Sequence, residues 1–265
     1  MSRIRLIACD LDGTLLLNGA QKLEPGIFTL IRELTRKGIY FAAASGRQYT
    51  NLRRLFAPVQ DEIIYLCENG FLAFYKEELI FKEEMPREDG CELIRAVLEK
   101  EGCEALLSGV YNCYLQPKKD SYVDWMENVV GNDCSVVEDL TAVEEPFLKV
   151  SIYEEDGVKD AAEWQERFSD RFNVVTSGNA WMDIMPKYIH KGYGLKKILD
   201  RLNILPGECA AFGDNENDRE MLELVGLPIT MDTSSESVYD LGRDHTDTVE
   251  NMLDKMLHKK GGLEI

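Results

Sequence analysis

Two acidic clusters near opposite ends of the chain carry residue types that could do chemistry at one reacting atom. In Asp10-Leu11-Asp12-Gly13-Thr14, two carboxylates are separated by one residue, directly after the apolar run Ile4 to Cys9. Carboxylates so spaced can converge, Asp10 as nucleophile and Asp12 as acid and then base, while Gly13 permits the tight turn. Like charges this close repel, so they need a proton or a cation between them, and a hard ion that takes oxygen ligands, such as Mg²⁺, is the natural partner. The second cluster, Gly213-Asp214-Asn215-Glu216-Asn217-Asp218, also follows an apolar run and precedes a helical pattern. Asp214 would complete a metal site, Asn217 could orient a phosphate oxygen or a neighbouring carboxylate, and Asp218 could hold another active-site group in place. A polar turn and a helix cap are the plainer readings of the two clusters. A cap alone does not need so many acidic and amide groups.

Two further elements are weak by themselves. Ser45-Gly46-Arg47 closes the apolar run Ile39 to Ala44, where a hydroxyl and backbone amides at a helix start could receive a phosphate, although serine there commonly only caps the helix. Lys191, in His190-Lys191-Gly192, would offset negative charge on a transferring phosphoryl group and on its nucleophile.

The elements that must position these residues alternate in βαβ fashion. Ile4 to Cys9 reads as a strand, Pro25 to Lys37 as a helix, and Ile39 to Ala44 as a second strand. The helix rests on Ile27, Leu30, Ile31 and Leu34 on one face, with Pro25 in the first turn and Gly38 past the end. Continuous apolar strands such as Ile63 to Cys67 suit a parallel sheet covered on both faces. From about Phe71 strands follow one another without alternating helices. Helices are expected near Cys91 to Lys100, Tyr122 to Val130 and Val158 to Arg171, and strands at Ala105 to Ser108, Asn112 to Gln116, Leu148 to Tyr153, Asn173 to Ser177 and Trp181 to Met185. The α/β alternation resumes with helix Gly194 to Leu202, strand Cys209 to Phe212, helix Glu216 to Leu224, strand Pro228 to Met231 and a last helix over Thr248 to Leu257. The fold class is therefore α/β, a Rossmann-like doubly wound parallel sheet with an inserted α+β unit. The core would comprise residues 1–82 and 188–265, discontinuous, and the insertion 83–187. Lys259 to Ile265 reads as a frayed tail.

At 265 residues and 45% hydrophobic content the chain can bury a substantial core. Its formal net charge of -18 disfavours binding to nucleic-acid phosphates or anionic membranes. Its seven cysteines form no CxxC pair and its three histidines have no zinc-ligand spacing, so free thiols in a reducing, cytoplasmic compartment are expected. Met1 leads almost at once into a strand and no apolar run approaches a membrane span, so neither a signal peptide nor a transmembrane segment is expected. Cys9 and Cys209 read as buried small hydrophobes, and Trp125, Trp164 and Trp181 as packing within the insertion. Oligomeric state, monomer or homodimer, is left open.

Together the four elements resemble the haloacid dehalogenase superfamily: Asp10 to Thr14 is similar to its first motif, Ser45 to its second, Lys191 to its third, and Gly213-Asp214 with Asn217-Asp218 to its fourth. Ser45-Gly46-Arg47, Glu68-Asn69-Gly70, Asp183-Ile184-Met185-Pro186 before Lys191-Gly192, and Gly213 to Asp218 extend the resemblance to the Cof-type branch, over nearly the whole chain. The resemblance implies a cap of the C2B kind as the insertion, selecting the substrate. It implies a two-step phosphoryl transfer: Asp10 attacks phosphorus while Asp12 protonates the leaving alcohol, and Asp12 then activates water against the phosphoaspartate. Mg²⁺ would bind Asp10, the Asp12 backbone carbonyl and Asp214. Ser45, Lys191, Asn217 and amides around Leu11 and Gly46 would hold phosphate oxygens, with Thr14 and Asp218 in support. The partner implied is a small phosphorylated metabolite, with sugar phosphates the leading class. A phosphomutase using the same aspartates, or a phospholigand-binding protein on a lapsed catalytic fold, are the alternatives. His190 and Met231-Asp232-Thr233-Ser234 depart from the usual family pattern, which bears on the rim of the site and on substrate preference.

Overall fold

The computed structural model describes residues 3–131, 134–177 and 180–258; the expected tail Lys259 to Ile265 lies outside them. The chain divides into two compact units, Met1–Phe81 with His190–Ile265, and Lys82–Ile189.

In chain order the elements are β1 (Leu6–Cys9), α1 (Pro25–Arg36), β2 (Tyr40–Ala44), α2 (Tyr49–Leu55), β3 (Ile64–Cys67), β4 (Leu72–Tyr75) and β5 (Glu78–Lys82), then α3 (Arg87–Glu99), β6 (Glu104–Ser108), β7 (Cys113–Leu115), α4 (Asp120–Trp125), β8 (Cys134–Val136), β9 (Lys149–Tyr153), α5 (Ala161–Phe168), β10 (Phe172–Ser177) and β11 (Trp181–Pro186), and finally α6 (Lys191–Leu202), β12 (Cys209–Gly213), α7 (Arg219–Leu224), β13 (Leu227–Met231), α8 (Glu236–Tyr239), β14 (Asp244–Thr246) and α9 (Val249–His258).

The first unit is built on an eight-stranded sheet of order β14-β13-β12-β1-β2-β3-β4-β5. From β14 through β3 the strands are parallel. Every residue of β1, β3 and β12 is buried, as a strand covered by helices on both faces must be, which is why these segments are uninterrupted apolar runs. α1 buries Ile27, Ile31 and Leu34 with Pro25 in its first turn, since a proline there forfeits no helical hydrogen bond. The β4–β5 hairpin extends the sheet antiparallel from β3. Its turn, Lys76-Glu77, has both residues at positive φ, the geometry a two-residue hairpin turn requires. β1 connects to β2 on one side while β12 lies on its other side, so the strand order reverses beside β1, and ligands of open α/β sheets bind at such a switch point.

The second unit has a six-stranded sheet, β10-β11-β9-β6-β7-β8, antiparallel except for the β7–β8 pair. On one face α3 and α5 bury Leu93, Ile94, Val97, Trp164 and Phe168 against Leu107, Val150, Ile152 and Ile184. Tyr122 and Met126 pack with Leu106, Leu115 and Tyr153 in a separate cluster. Alternate residues of a strand point to opposite faces, and so Leu106 and Leu107 fall in different clusters.

Several boundaries differ from expectation. α5 is shorter than the expected Val158 to Arg171. α6 begins at Lys191 instead of Gly194, because His190 caps it: the imidazole Nδ1 accepts a hydrogen bond from Tyr193 N at 3.1 Å. β8 and β14, three residues each, were not expected; neither is long enough to show a period in sequence. The expectation of free thiols is corrected at one pair: Cys113 and Cys134 form a disulfide, brought together because β7 and β8 pair in register at these two positions. Cys9 and Cys209 are fully buried free thiols. Among the described residues no helix is long and apolar enough to cross a membrane.

Candidate active site

Asp10 follows the last residue of β1, and its backbone N–H continues the ladder by donating to Phe212 O at 3.0 Å. The chain then turns tightly, with Thr14 N and Leu16 N both donating to Leu11 O at 3.2 and 2.6 Å. Gly13 adopts φ +99°, and a Cβ built there would lie 2.3 Å from Asp214 Oδ2. Only glycine provides both that backbone and that approach. Thr14 Oγ1 donates to Asp214 Oδ1 at 2.7 Å, so the turn after β1 is fastened directly to the residue after β12.

Asp218 organises the opposite side. Its Oδ2 accepts the backbone N–H groups of Asp214 and Asn215 at 3.1 and 3.2 Å, and its Oδ1 accepts Lys191 Nζ at 2.6 Å. Lys191 also donates to Asp10 Oδ1. Asp10, Lys191 and Asp218 are all buried. Lys191 is delivered by the first turn of α6, which Gly70 allows to pack closely: at φ +107°, a Cβ on Gly70 would lie 2.3 Å from His190 O.

Asp10, Asp214 and Asp218 each present an oxygen within 4.8 Å of the others. Burial, then the charge of Asp218, raise the Asp10 carboxyl well above its ordinary value against the pull of Lys191. Burial also raises Asp214. Burial alone would lower Lys191, but Asp10 and Asp218 outweigh it and keep the ammonium charged. Three carboxylates around one ammonium leave an excess of negative charge, and among the described residues the potential ligands of this group are all carboxylate oxygens. Such a donor set fits a hard divalent cation. Both oxygens of Asp218 are engaged, Oδ1 by Lys191 and Oδ2 by two amides, so Asp10 and Asp214 are the carboxylates that could hold it.

The remaining predicted residues surround this network. Leu11 is buried in the turn. Ser45 and Gly46 follow β2, which pairs with β1 in the register Cys9↔Ala43, and buried Ser45 accepts Arg47 N at its Oγ, 3.2 Å away. Asn217 is half-buried on the short 3-10 turn Glu216–Asp218. Asp12 is not gathered in. Its side chain is exposed and accepts two hydrogen bonds from Arg47, Nη2 to Oδ1 at 2.6 Å and Nε to Oδ2 at 2.9 Å. Arg47 Nη1 donates in turn to Asn51 Oδ1 at 3.2 Å. The sequence offered Arg47 only as part of Ser45-Gly46-Arg47, and nothing in its spacing tells which carboxylate it takes. Asn51, in the first turn of α2, thereby helps to hold the guanidinium in place.

The haloacid dehalogenase-like hydrolase family model matches residues 7–252. The chain belongs to that family. Among the relatives of these haloacid dehalogenase-like hydrolases, 5-amino-6-(5-phospho-D-ribitylamino)uracil phosphatase YbjI of Escherichia coli is 25% identical, with 96% of each chain covered. Solved structures agree in fold: a haloacid dehalogenase-like hydrolase from B. subtilis has a TM-score of 0.81 at 20% identity, covering 96% of this chain and 99% of the other. Another from Bacteroides thetaiotaomicron has a TM-score of 0.80 at 22% identity with the same coverage.

Proposed function

We propose that the protein is a Mg²⁺-dependent phosphatase that hydrolyses a small phosphomonoester through a phosphoaspartate on Asp10. The observation that carries this reading is the contact of buried Asp10 with Lys191 at the end of β1, with Asp214 alongside at the end of the neighbouring β12. A carboxylate nucleophile needs a fixed position and a cationic neighbour that also lowers the charge of the incoming phosphate. Lys191, itself held by Asp218, supplies that. Mg²⁺ bound by Asp10, Asp214 and the Asp12 carbonyl would polarise the phosphoryl oxygens and offset their charge.

In this reading Asp10 displaces the alcohol from phosphorus and becomes the acyl phosphate, and the alcohol oxygen takes its proton from Asp12. Water then attacks the phosphoaspartate, giving its proton to Asp12 and releasing inorganic phosphate and free Asp10. Ser45, Asn217 and the amides of Leu11 and Gly46 would receive phosphate oxygens. The E. coli relative is named for a phosphorylated ribityl compound, which together with the family points to phosphorylated polyols and sugars as the first substrates to screen. The insertion, taken as residues 83–187, would select among them.

The test is hydrolysis of an aryl phosphate with and without Mg²⁺ by the wild type and by Asp10→Asn. Metal-dependent turnover that the variant lacks supports the reading. A wild type inert toward that ester and toward a broad panel of phosphomonoesters overturns it.

A further inference from the structure

Three consecutive residues of the first unit hold a left-handed backbone beside the site. Glu68, Asn69 and Gly70 have φ of 51°, 57° and 107°, and the side chains belong to a buried turn, with Glu68 2% and Asn69 7% exposed. They begin the connection between β3 and β4, where Cys67 pairs with Leu72 and residues 68–71 make the reversal. A reversal of that length is most often built around a type I turn, whose central residues keep negative φ. A left-handed glutamate is disfavoured by its own Cβ, so the strand reversal alone does not ask for this backbone. The Lys76-Glu77 turn also has positive φ, but a two-residue hairpin demands it there and both residues are exposed. Residues held in such conformations persist where their surroundings fix them, and they cluster at functional sites.

The surroundings of this turn are the site itself. Asn69 N donates to Ser45 O at 3.0 Å and Glu68 N donates to Arg47 O at 3.2 Å, so two amides of the turn leave the hairpin and hold the loop after β2. Gly46 lies between these two bonds. A Cβ built on it would lie 3.0 Å from Asn69 Oδ1 and 3.2 Å from Asn69 Nδ2. The Asn69 amide therefore occupies the side of Gly46 on which other residues carry a side chain. At its other end the turn meets α6, where Gly70 packs against His190 O, one residue before Lys191.

We infer that Glu68-Asn69-Gly70 is a brace that fixes the Ser45-Gly46-Arg47 loop relative to Lys191, with Asn69 as the positioning residue for the Gly46 amide. The inference rests on the reading of Ser45, Gly46 and Lys191 as the groups that meet the phosphate. A glycine backbone has wide freedom of its own, and an amide that must point at a phosphate oxygen gains from being fixed before the phosphate arrives. Asparagine suits the task because it tolerates the left-handed backbone and carries a short, flat amide.

The probe is inorganic phosphate, titrated calorimetrically into the full chain with Mg²⁺ present, which reads binding without turnover. Asn69→Gly keeps the left-handed backbone and removes only the amide. It is expected to weaken phosphate affinity and to lower kcat toward an aryl phosphate, each by about tenfold. Mg²⁺ affinity should stay at the wild-type value, and the melting temperature should move by less than about 4 °C; a general loosening of the fold would change both. Gly46→Ala is expected to weaken phosphate affinity in the wild type, where its methyl group presses on Asn69, and to do so less in Asn69→Gly, where the space is open. Wild-type phosphate affinity in Asn69→Gly, an equal effect of Gly46→Ala in both backgrounds, or absence of phosphate binding by the wild type overturns the inference. Phosphate binding without ester turnover in the wild type would overturn the phosphatase reading instead, and the brace would stand or fall on the affinities of the variants.

Discussion

Arg47 grips Asp12 through two parallel hydrogen bonds, 2.6 and 2.9 Å, while Asp10, two residues earlier in the same turn, is bonded to Lys191 on the opposite side. The two aspartates of one motif, Asp10 buried and Asp12 exposed, are thus assigned to different cations. If Asp10 is the nucleophile and Asp12 the proton carrier, Arg47 is a positioning residue for Asp12. Arg47→Ala is expected to lower kcat about tenfold with KM moved less. Arg47→Lys should recover only part of the loss, since an ammonium cannot reproduce the planar fork. Equal kcat in Arg47→Ala and wild type would show that the grip does not matter to turnover.

The division of labour gives a graded pair of variants. Asp10→Asn is expected to abolish turnover, by on the order of 10³-fold or more, and to prevent acid-stable capture of labelled phosphate on the protein. Asp12→Asn is expected to lose about 10²- to 10⁴-fold, yet still to accumulate labelled phosphoprotein from an aryl phosphate whose leaving group needs no proton. A failure of Asp12→Asn to label would place its role before the first transfer.

Cation affinity should depend on pH in a defined direction. Burial and Asp218 hold Asp10 well above its ordinary value, and burial raises Asp214. A cation binds the carboxylate and not the carboxylic acid, so binding must expel any proton present. Mg²⁺ affinity is therefore expected to weaken as pH falls through the raised value and to level off above it. Calorimetry in buffers of different ionisation enthalpy would count the protons released; none released across the acid range would contradict this.

Asp218 is the structural centre of the site, and removing it takes one of two carboxylates from a buried ammonium and leaves two backbone amides without their acceptor. Asp218→Ala is expected to destabilise the protein by about 3–5 kcal/mol, read as a lower urea midpoint. The double variant Asp218→Ala with Lys191→Met should recover none of that stability, because Lys191 keeps Asp10 as partner in the single variant and the second change leaves the buried Asp10 carboxylate without its ammonium. Recovery in the double variant would show that the loss lies in the lysine and not in the amide bonds.

Gly13 ties stability to metal binding. A methyl group there would sit 2.3 Å from Asp214 Oδ2 and on a backbone of φ +99°. Gly13→Ala is expected to shift Asp214, weaken Mg²⁺ affinity by tenfold or more and lower the melting temperature by several degrees. Unchanged affinity in a folded variant would show that Asp214 is not a ligand.

The sequence by itself determined much of this molecule, because continuous apolar runs, helical periods and turn residues are local signals. Asp10 and Asp214 could be placed at strand ends because Ile4 to Cys9 and Cys209 to Phe212 stop there, and Lys191 could be placed where the core resumes. Three-residue strands such as β8 and β14, and the Cys113–Cys134 bond that depends on β8 pairing with β7, carry no periodic signal. Only the tertiary structure decided which charges meet. Lys191 lies 181 residues from Asp10 and 27 from Asp218, and Arg47 lies 35 from Asp12. Those partners are chosen by strand order and helix capping: β12 lies next to β1, and His190 starts α6 three residues before its expected beginning. That the buried Tyr122 hydroxyl has no hydrogen-bond partner among the described residues is likewise invisible in sequence, since whether a buried polar atom finds a partner depends on everything folded around it.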